Sequence, residues 1–413
     1  LEAYELTNNK EYAEIAEEIF TYVLRDMTDE KGGFYSAEDA DSEGEEGKFY
    51  VWTNEEIVKI LGDKDGEKFI DIFGFEDQGN FHDEATRQLT GSNIPYLKNK
   101  LSKYAKKNDL DIGKLKNTIE ENRLALFSHR KKRIHPLKDD KVLTDWNGLM
   151  IAALANGGKI LENDKYINAA ENAADFILNN LKDDNGRLFK RYRKGSSGLQ
   201  PHIDDYAFLI WGLLNLYEAG FKIHYLEAAV EIAELMVSDF IDEENGGFFI
   251  GPENGEKLIV RAKDSYDGAI PSGNAVAAMN CIRLSKFTGN MKWDEIAQKT
   301  FLAFSDGINR VPSAHSFMLT SFMFGEESPK EIVVVSKEKD SEAISMVRKI
   351  QSSYNPHSIL ILKNMDDTKT LDKVAPWTSM HDTIDDKITF YVCENFACKM
   401  PTTDIDTALK YLQ

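Results

Sequence analysis

The sequence predicts a mainly α protein built as an (α/α)6 toroid, a ring of helical hairpins, with a small α/β portion at its C-terminal end. Three observations lead there. A helix pair followed by a glycine turn recurs about every 60 residues, a period that marks stacked supersecondary units. In each pair the first helix is apolar nearly all round and the second carries its charges on one face, as an inner layer sheathed by an outer one would. After Gly325 the pattern changes to a βαβ-β-α succession.

The opening residues LEAYEL read as the last turn of a helix, and Thr7, Asn8 and Asn9 as a polar turn before an amphipathic run at 11–27. Residue 1 is Leu, and no basic, apolar, small-residue succession follows it. The chain is therefore expected to be cut from a longer one, with part of its first hairpin upstream. The recurring turn appears in VLRDMTDEKGGFYSAED (23–39), ILNNLKDDNGRLFKRYR (177–193) and MVSDFIDEENGGFFIGPE (236–253). Each joins an apolar helix end to acids, glycine and an aromatic-containing extended piece suited to a short hairpin. The helix pairs are 145–160 with 164–181, 205–217 with 223–240, and 272–287 with 291–308. A weaker pair at 95–107 and 112–131, the truncated first pair and a lone helix near 314–324 bring the hairpins to about six. EIVVVS (331–336), a helix near 341–351, SILILK (358–363), ITFYVC (388–393) and a helix at 404–412 follow. The expected division is a toroid over 1–325 and an α/β appendage over 326–413. Strands covering one end of the ring would read the same way.

Composition excludes several classes of function. With 70 Asp and Glu against 50 Lys and Arg the net charge is −20, which repels a phosphate backbone and argues against nucleic acid as a partner. The longest uncharged stretch, 311–325, contains Pro312, Ser313, His315 and Thr320 and falls short of the roughly 20 apolar residues of a membrane span. Cys281, Cys393 and Cys398 are too few and too odd in number for a disulfide framework, so a reducing, cytoplasmic location is expected. Cys393 and Cys398, with no second pair or histidine cluster near them in sequence, fit neither zinc nor thioredoxin-type spacing and are read as thiols. No Gly-rich phosphate loop, nucleophile elbow or dinucleotide fingerprint occurs, and no cofactor or metal is expected.

In such a ring the ends of the inner helices face a shared cavity, so residues about 60 positions apart become neighbours. The inner-helix starts are Thr144-Asp145-Trp146-Asn147-Gly148, His202-Ile203-Asp204-Asp205-Tyr206, and Asp267 onward to Ser272-Gly273-Asn274. Helix capping accounts for Asp145, Asp205 and Ser272 one at a time. It does not account for the aromatic that follows an acid in the first two, or for the doubled acid at 204–205. Carboxylates beside aromatic faces suit a sugar, whose C–H face packs on a ring while its hydroxyls bond to Asp and Asn. The loop at 33–43, with Glu38, Asp39 and Asp41, adds a dense carboxylate cluster ahead of Phe49, Tyr50 and Trp52. Glycosidic hydrolysis needs one protonated and one ionised carboxyl, and burial near like charge supplies the difference. The candidate catalytic set is therefore Glu38, Asp39, Asp145 and Asp205. The substrate-binding set is Asp41, Trp52, Trp146, Asn147, His202, Asp204, Tyr206, Asp267 and Asn274. The basic stretch at 129–135 offers Arg130 or Arg133 to an anionic group, or else simply satisfies a helix end.

Five stretches resemble a known family: GGFYSAEDADSEGEEGKFYVWT (32–53), DDKVLTDWNGLMIAALA (139–155), DDYAFLIWGLLNLYEA (204–219), SYDGAIPSGNAVAAMN (265–280) and CENFACKMPTTD (393–404). Together they are similar to the large thioredoxin-domain-containing proteins that include the spermatogenesis-associated relatives, over essentially the whole chain. The resemblance implies a six-hairpin toroid like those of six-hairpin glycosidases and N-acylglucosamine 2-epimerases, preceded in the full-length protein by a thioredoxin-like domain that this chain is expected to lack. Those epimerases use two loop histidines, whereas only His202 is suitably placed here. Two functions are carried forward. One is a carbohydrate-active enzyme of the hydrolase or epimerase type. The other is a non-catalytic binding or scaffold toroid that works with the missing thioredoxin-like domain.

Overall fold

The computed structural model describes residues 1–83, 86–257, 259–337 and 341–412. Their helices are α1 (Glu2–Thr7), α2 (Lys10–Asp26), α3 (Asn54–Leu61), α4 (Asp63–Ile72), α5 (Leu101–Lys107), α6 (Ile112–Arg130), α7 (Thr144–Ile160) and α8 (Asp164–Asn180). They continue as α9 (Ile203–Gly220), α10 (Ile223–Phe240), α11 (Gly273–Thr288), α12 (Lys292–Arg310), α13 (Ser316–Glu326), α14 (Ser341–Gln351), α15 (Lys369–Val374) and α16 (Ile405–Leu412). The chain divides into two compact units, Leu1–Ser36 with Asp140–Gln413, and Ala37–Asp139. None of the described helices is long and apolar enough to cross a membrane.

The first unit has the mainly α, α/α-toroid fold class that the repeats predict. Hairpins α7/α8, α9/α10 and α11/α12 follow one another, and α9 packs on both α7 and α11. Nearly every side chain of α9 and α11 is buried, whereas α8 buries Tyr166, Ala170, Ala173, Ala174 and Ile177 at helical spacing and turns its other face outward. The inner helices meet at glycine. A methyl placed on Gly148 would lie 2.4 Å from the carbonyl carbon of Phe208, and one on Gly212 2.7 Å from the carbonyl oxygen of Gly148. Because the obstacle is backbone, Gly148→Ala is expected to lower stability by roughly 2 kcal/mol, read as a shifted urea midpoint. An unchanged midpoint would mean that the two helices can part to admit the methyl at no cost.

The recurring turn follows one pattern in all three copies, the third being one residue longer. An antiparallel bridge closes it, Thr28 to Phe34, Lys182 to Leu188 and Ile241 to Phe248. An aspartate (Asp29, Asp183, Asp242) accepts the backbone N–H two positions on, and a glycine N–H returns to that aspartate's carbonyl. Gly32, Gly186 and Gly246 take positive φ, which explains why glycine recurs at this point of the repeat.

At the C-terminal end the strands order as Ala397–Cys398, Thr389–Glu394, Lys330–Ser336 and Ser358–Asn364, the last two parallel. Alternation divides the central strand between two cores. Val333 and Val335 join the hydrophobic cluster of the inner helices, while Ile332 and Val334 pack with Ala343, Val347 and Ala408 from α14 and α16. The expectation of free thiols is corrected here. Cys393 and Cys398 face each other across the tight hairpin and are disulfide-bonded, because the strand register pairs them, which their spacing alone does not reveal. Cys281 is free and buried.

The second unit contains α3 to α6. The sequence reading anticipated α5 and α6 but not the short α3 and α4, whose local signals are a Thr53–Glu56 capping box and a glycine at 62 between them. Trp52, Ile57, Phe69, Phe75 and Leu126 form its larger core cluster.

Candidate active site

In the first unit, the starts of two inner helices and one repeat turn converge on a single ammonium group. Lys190 Nζ lies 3.1 Å from Asp145 Oδ2 and 3.5 Å from Asp205 Oδ2. Asp205 occupies the first turn of α9, where it accepts the backbone N–H of His202 at 2.7 Å and that of Asp145 at 3.2 Å. Asp145 in turn accepts the N–H of Trp146. Asp205 is fully buried and Asp145 nearly so, Asp204 is half-buried, and His202 and Trp146 are exposed. Gly273 has no side chain, which lets the α11 backbone approach Asp204 closely; a methyl there would lie 2.2 Å from Asp204 Oδ1.

The charges follow from this packing. Burial, reinforced by Asp145 and opposed by Lys190, pushes the Asp205 carboxyl up to about 7. Asp204 is raised by the same two effects, burial first and Asp145 second. Burial works against the Lys190 ammonium, yet Asp205 and Asp145 outweigh it and hold Lys190 above the ordinary lysine value. A buried carboxyl raised to about 7 beside a single cation is disposed to keep its proton near neutral pH, the condition an acid/base pair needs.

Several predicted ligands have other work. Asn147 Oδ1 accepts the N–H of Phe34 at 2.8 Å, and its Nδ2 donates to the carbonyls of Phe34 and Leu143. Asn274 repeats this with Phe248 and the carbonyl of Asp264. At the equivalent place on α9 the Tyr206 hydroxyl accepts the N–H of Leu188 at 3.1 Å. Each inner helix thus clamps the turn that precedes it. Tyr206 is fully buried against Phe240, and burial pushes its phenol to about 12. The periodicity that singled out these three residues therefore reports a repeated structural clamp. Asp267 accepts the N–H groups of Ser272, Phe317 and Met318, so it caps α13 from a distance. Ser272 is the one residue among the three suspected caps whose side chain caps its own helix simply, accepting from Ala275.

The remaining candidates belong to the second unit. Trp52 is buried, and the Arg133 guanidinium lies 4.1 Å from its ring centroid, so the indole face is already covered. Arg133 also donates to the carbonyls of Phe49 and Val51 and pairs with Glu56, a cross-link rather than an anion site. Glu38 accepts from the Tyr50 hydroxyl and lies near Lys138. Asp39 and Asp41 are exposed, with Asp39 accepting the N–H of Asp41 in a turn.

Lys190 was missed by the sequence reading, although a signal for it exists. When the turns are aligned on their clamped residues Phe34, Leu188 and Phe248, Lys190 falls where the other copies have Ser36 and Ile250. A cation that replaces a small or apolar residue in a repeat marks a local departure from the scaffold.

The chain is 34% identical to spermatogenesis-associated protein 20 of Homo sapiens over 430 residues, covering 98% of this chain and 55% of that protein. The Mus musculus protein of the same name is 32% identical over 98% of the chain and 54% of its own length. An uncharacterized Caenorhabditis elegans protein is 30% identical over 95% of the chain and 56% of its own length. The chain thus spans about half the length of these relatives. No family model matches it. Among solved structures it is similar to a family 76 α-mannanase of Bacteroides thetaiotaomicron at 17% identity and a TM-score of 0.40, over 54% of this chain and 60% of that one. It is also similar to a family 105 glycoside hydrolase of C. acetobutylicum at 15% identity and a TM-score of 0.34, over 75% of this chain and 74% of that one.

Proposed function

The chain is a homologue of spermatogenesis-associated protein 20 along 98% of its length, a kinship that names no reaction, and from its own side chains we propose that it is a carbohydrate-active enzyme of the hydrolase or epimerase type. The observation that carries this reading is the meeting of Asp145 and Asp205 on Lys190, next along the chain to Asp204 and to the exposed indole of Trp146. Hydrolysis of a glycosidic bond requires one carboxyl that delivers a proton to the leaving oxygen and another that activates water or attacks the anomeric carbon. Asp204, half-buried with a raised pKa, is the proton donor in this reading. Asp145 is the second carboxyl, Asp205 and Lys190 hold the charge balance beside it, and Trp146 offers the face on which a sugar ring stacks. Exposed His202 supplies the additional proton carrier that an epimerase would use. This centre draws on one unit alone.

The test is a panel of oligosaccharides screened by thermal shift and then by turnover. A ligand present at about 100 times its dissociation constant adds about 2.7 kcal/mol to stability. Asp145→Asn and Asp204→Asn are each expected to lower turnover by roughly a hundredfold or more while sugar binding persists, and Trp146→Ala to weaken binding instead. Unchanged turnover in both carboxylate variants would remove the assignment. The scaffold reading rests on the clamps at Asn147, Tyr206 and Asn274, which occupy structurally three of the five expected aromatic and amide ligands. It predicts that no sugar shifts the melting of the unmodified protein.

A further inference from the structure

The Cys393–Cys398 pair differs from an ordinary structural cross-link in three respects. It bridges cysteines five positions apart whose strands already pair, so it constrains little additional chain. Its two ends are unequally exposed: Cys393 is buried at 1% exposure, while Cys398 and the neighbouring Ala397 are open to solvent. A histidine also sits against the sulfur of the exposed residue, with His381 Nε2 3.5 Å from Cys398 Sγ.

The surroundings hold that arrangement independently of the sulfur–sulfur bond. Lys399 N–H donates to Val392 across the hairpin, Phe396 N–H donates to Glu331, and Lys286 Nζ donates to the Asn395 side chain. The histidine's loop is pinned by the buried Lys363 ammonium, which donates to the carbonyls of Thr378, Ser379 and His381. With Nδ1–H donating to the Thr378 carbonyl, Nε2 is the unprotonated ring nitrogen, and it faces the sulfur. Burial and the nearby Lys363 charge hold the imidazole pKa below the usual histidine range, which keeps it a neutral base.

We propose that Cys393 and Cys398 form a thiol–disulfide exchange site for dithiols, with Cys398 as the sulfur that outside thiols reach, Cys393 as the resolving sulfur and His381 as the positioning base. A thiolate of an external dithiol attacks Cys398 Sγ. The Cys393–Cys398 bond breaks with its electron pair going to Cys393, and a mixed disulfide forms at Cys398. The second thiolate of the same dithiol attacks its own mixed-disulfide sulfur and releases Cys398. The dithiol loses two electrons and two protons, and the cysteine pair gains both. His381 Nε2 takes the proton of the incoming thiol and returns it to the departing sulfur. Run in reverse, the reduced pair opens a disulfide substrate through Cys398.

The experiment uses the whole chain. Protein is incubated with graded dithiothreitol, alkylated, and the labels per chain are counted by mass spectrometry. Two labels are expected under native conditions. The third, on Cys281, should stay silent because that thiol is buried and its pKa is pushed up to about 12, so its labelling reports unfolding. With glutathione disulfide, C393S is expected to trap a mixed disulfide at Cys398 roughly tenfold or more faster than C398S traps one at Cys393. H381N is expected to slow reduction by roughly a hundredfold while leaving the dithiothreitol midpoint unchanged. Labels that appear only together with Cys281 would make the pair a structural staple. Equal trapping in the two serine variants would overturn the order of attack, and a shifted midpoint with an unchanged rate would overturn the role of His381. Stoichiometric zinc retained by the reduced protein and lost in H381N would make the cluster a metal site instead.

Discussion

Lys190→Met is expected to destabilise the fold by about 3 kcal/mol near pH 8, because it leaves Asp145 and Asp205 buried without their shared cation. The loss should shrink markedly near pH 5. Asp205 has a folded-state pKa of about 7, above its ordinary carboxylate value of 3.8. The stability linked to its proton is therefore fully present below about pH 3.8 and is lost as pH rises towards 7, with a slope of at most about 1.4 kcal/mol per pH unit. Without Lys190 the Asp205 carboxyl holds its proton still more tightly, the window extends to higher pH, and the penalty for ionising it falls on the alkaline side. Urea midpoints of the two proteins at both pH values measure this difference. A gap that does not widen with pH would mean that Lys190 contributes packing and not charge. Asp205→Asn should flatten the pH dependence of the unmodified protein and recover part of the stability lost in Lys190→Met, since the two residues share one interaction.

Asn274→Ala is expected to cost about 4 kcal/mol, the second large effect. The substitution leaves the N–H and carbonyl of Phe248 and the carbonyl of Asp264 without their side-chain partner inside a buried turn, and each unsatisfied group costs about 1–3 kcal/mol. Asn147→Ala should behave alike at Phe34, because the geometry is the same. Chemical denaturation of the two variants reads both values. If Asn274→Ala keeps its midpoint and instead loses a sugar response that the unmodified protein shows, the clamp is wrong and the residue belongs to the ligand site.

These two results divide the inner-helix residues according to how much of their role could be read from the chain. The repeat spacing marks Asn147, Tyr206 and Asn274 as one set, and in the fold they are one set, equivalent in position and in work. Recurrence reports that shared work and does not by itself point to ligand binding. A feature that recurs with the scaffold is more readily explained by the scaffold, which needs the same turn held at every step. Two of the charged residues that gather depart from the repeat: Asp205 stands where the other inner helices have Trp146 and Gly273, and Lys190 where the other turns have Ser36 and Ile250. Trp52 illustrates the same limit in the second unit. Its aromatic neighbourhood was visible in the chain, but that Arg133, about 80 positions on, covers its face was not.

What could be read along the chain was whatever depends on near neighbours: helix period, apolar inner against charged outer helices, the aspartate-to-glycine turn, and the change to strands after Gly325. These follow from local backbone preference and from side-chain spacing, which a linear text preserves. The meeting of Lys190 with two carboxylates, the pairing of Cys393 with Cys398 beneath His381, and the division of one strand's valines between two cores depend on distances across the folded chain. Such contacts arise when packing brings remote segments together, and burial then sets the charge state of the groups it encloses; neither is a property of any single stretch of residues.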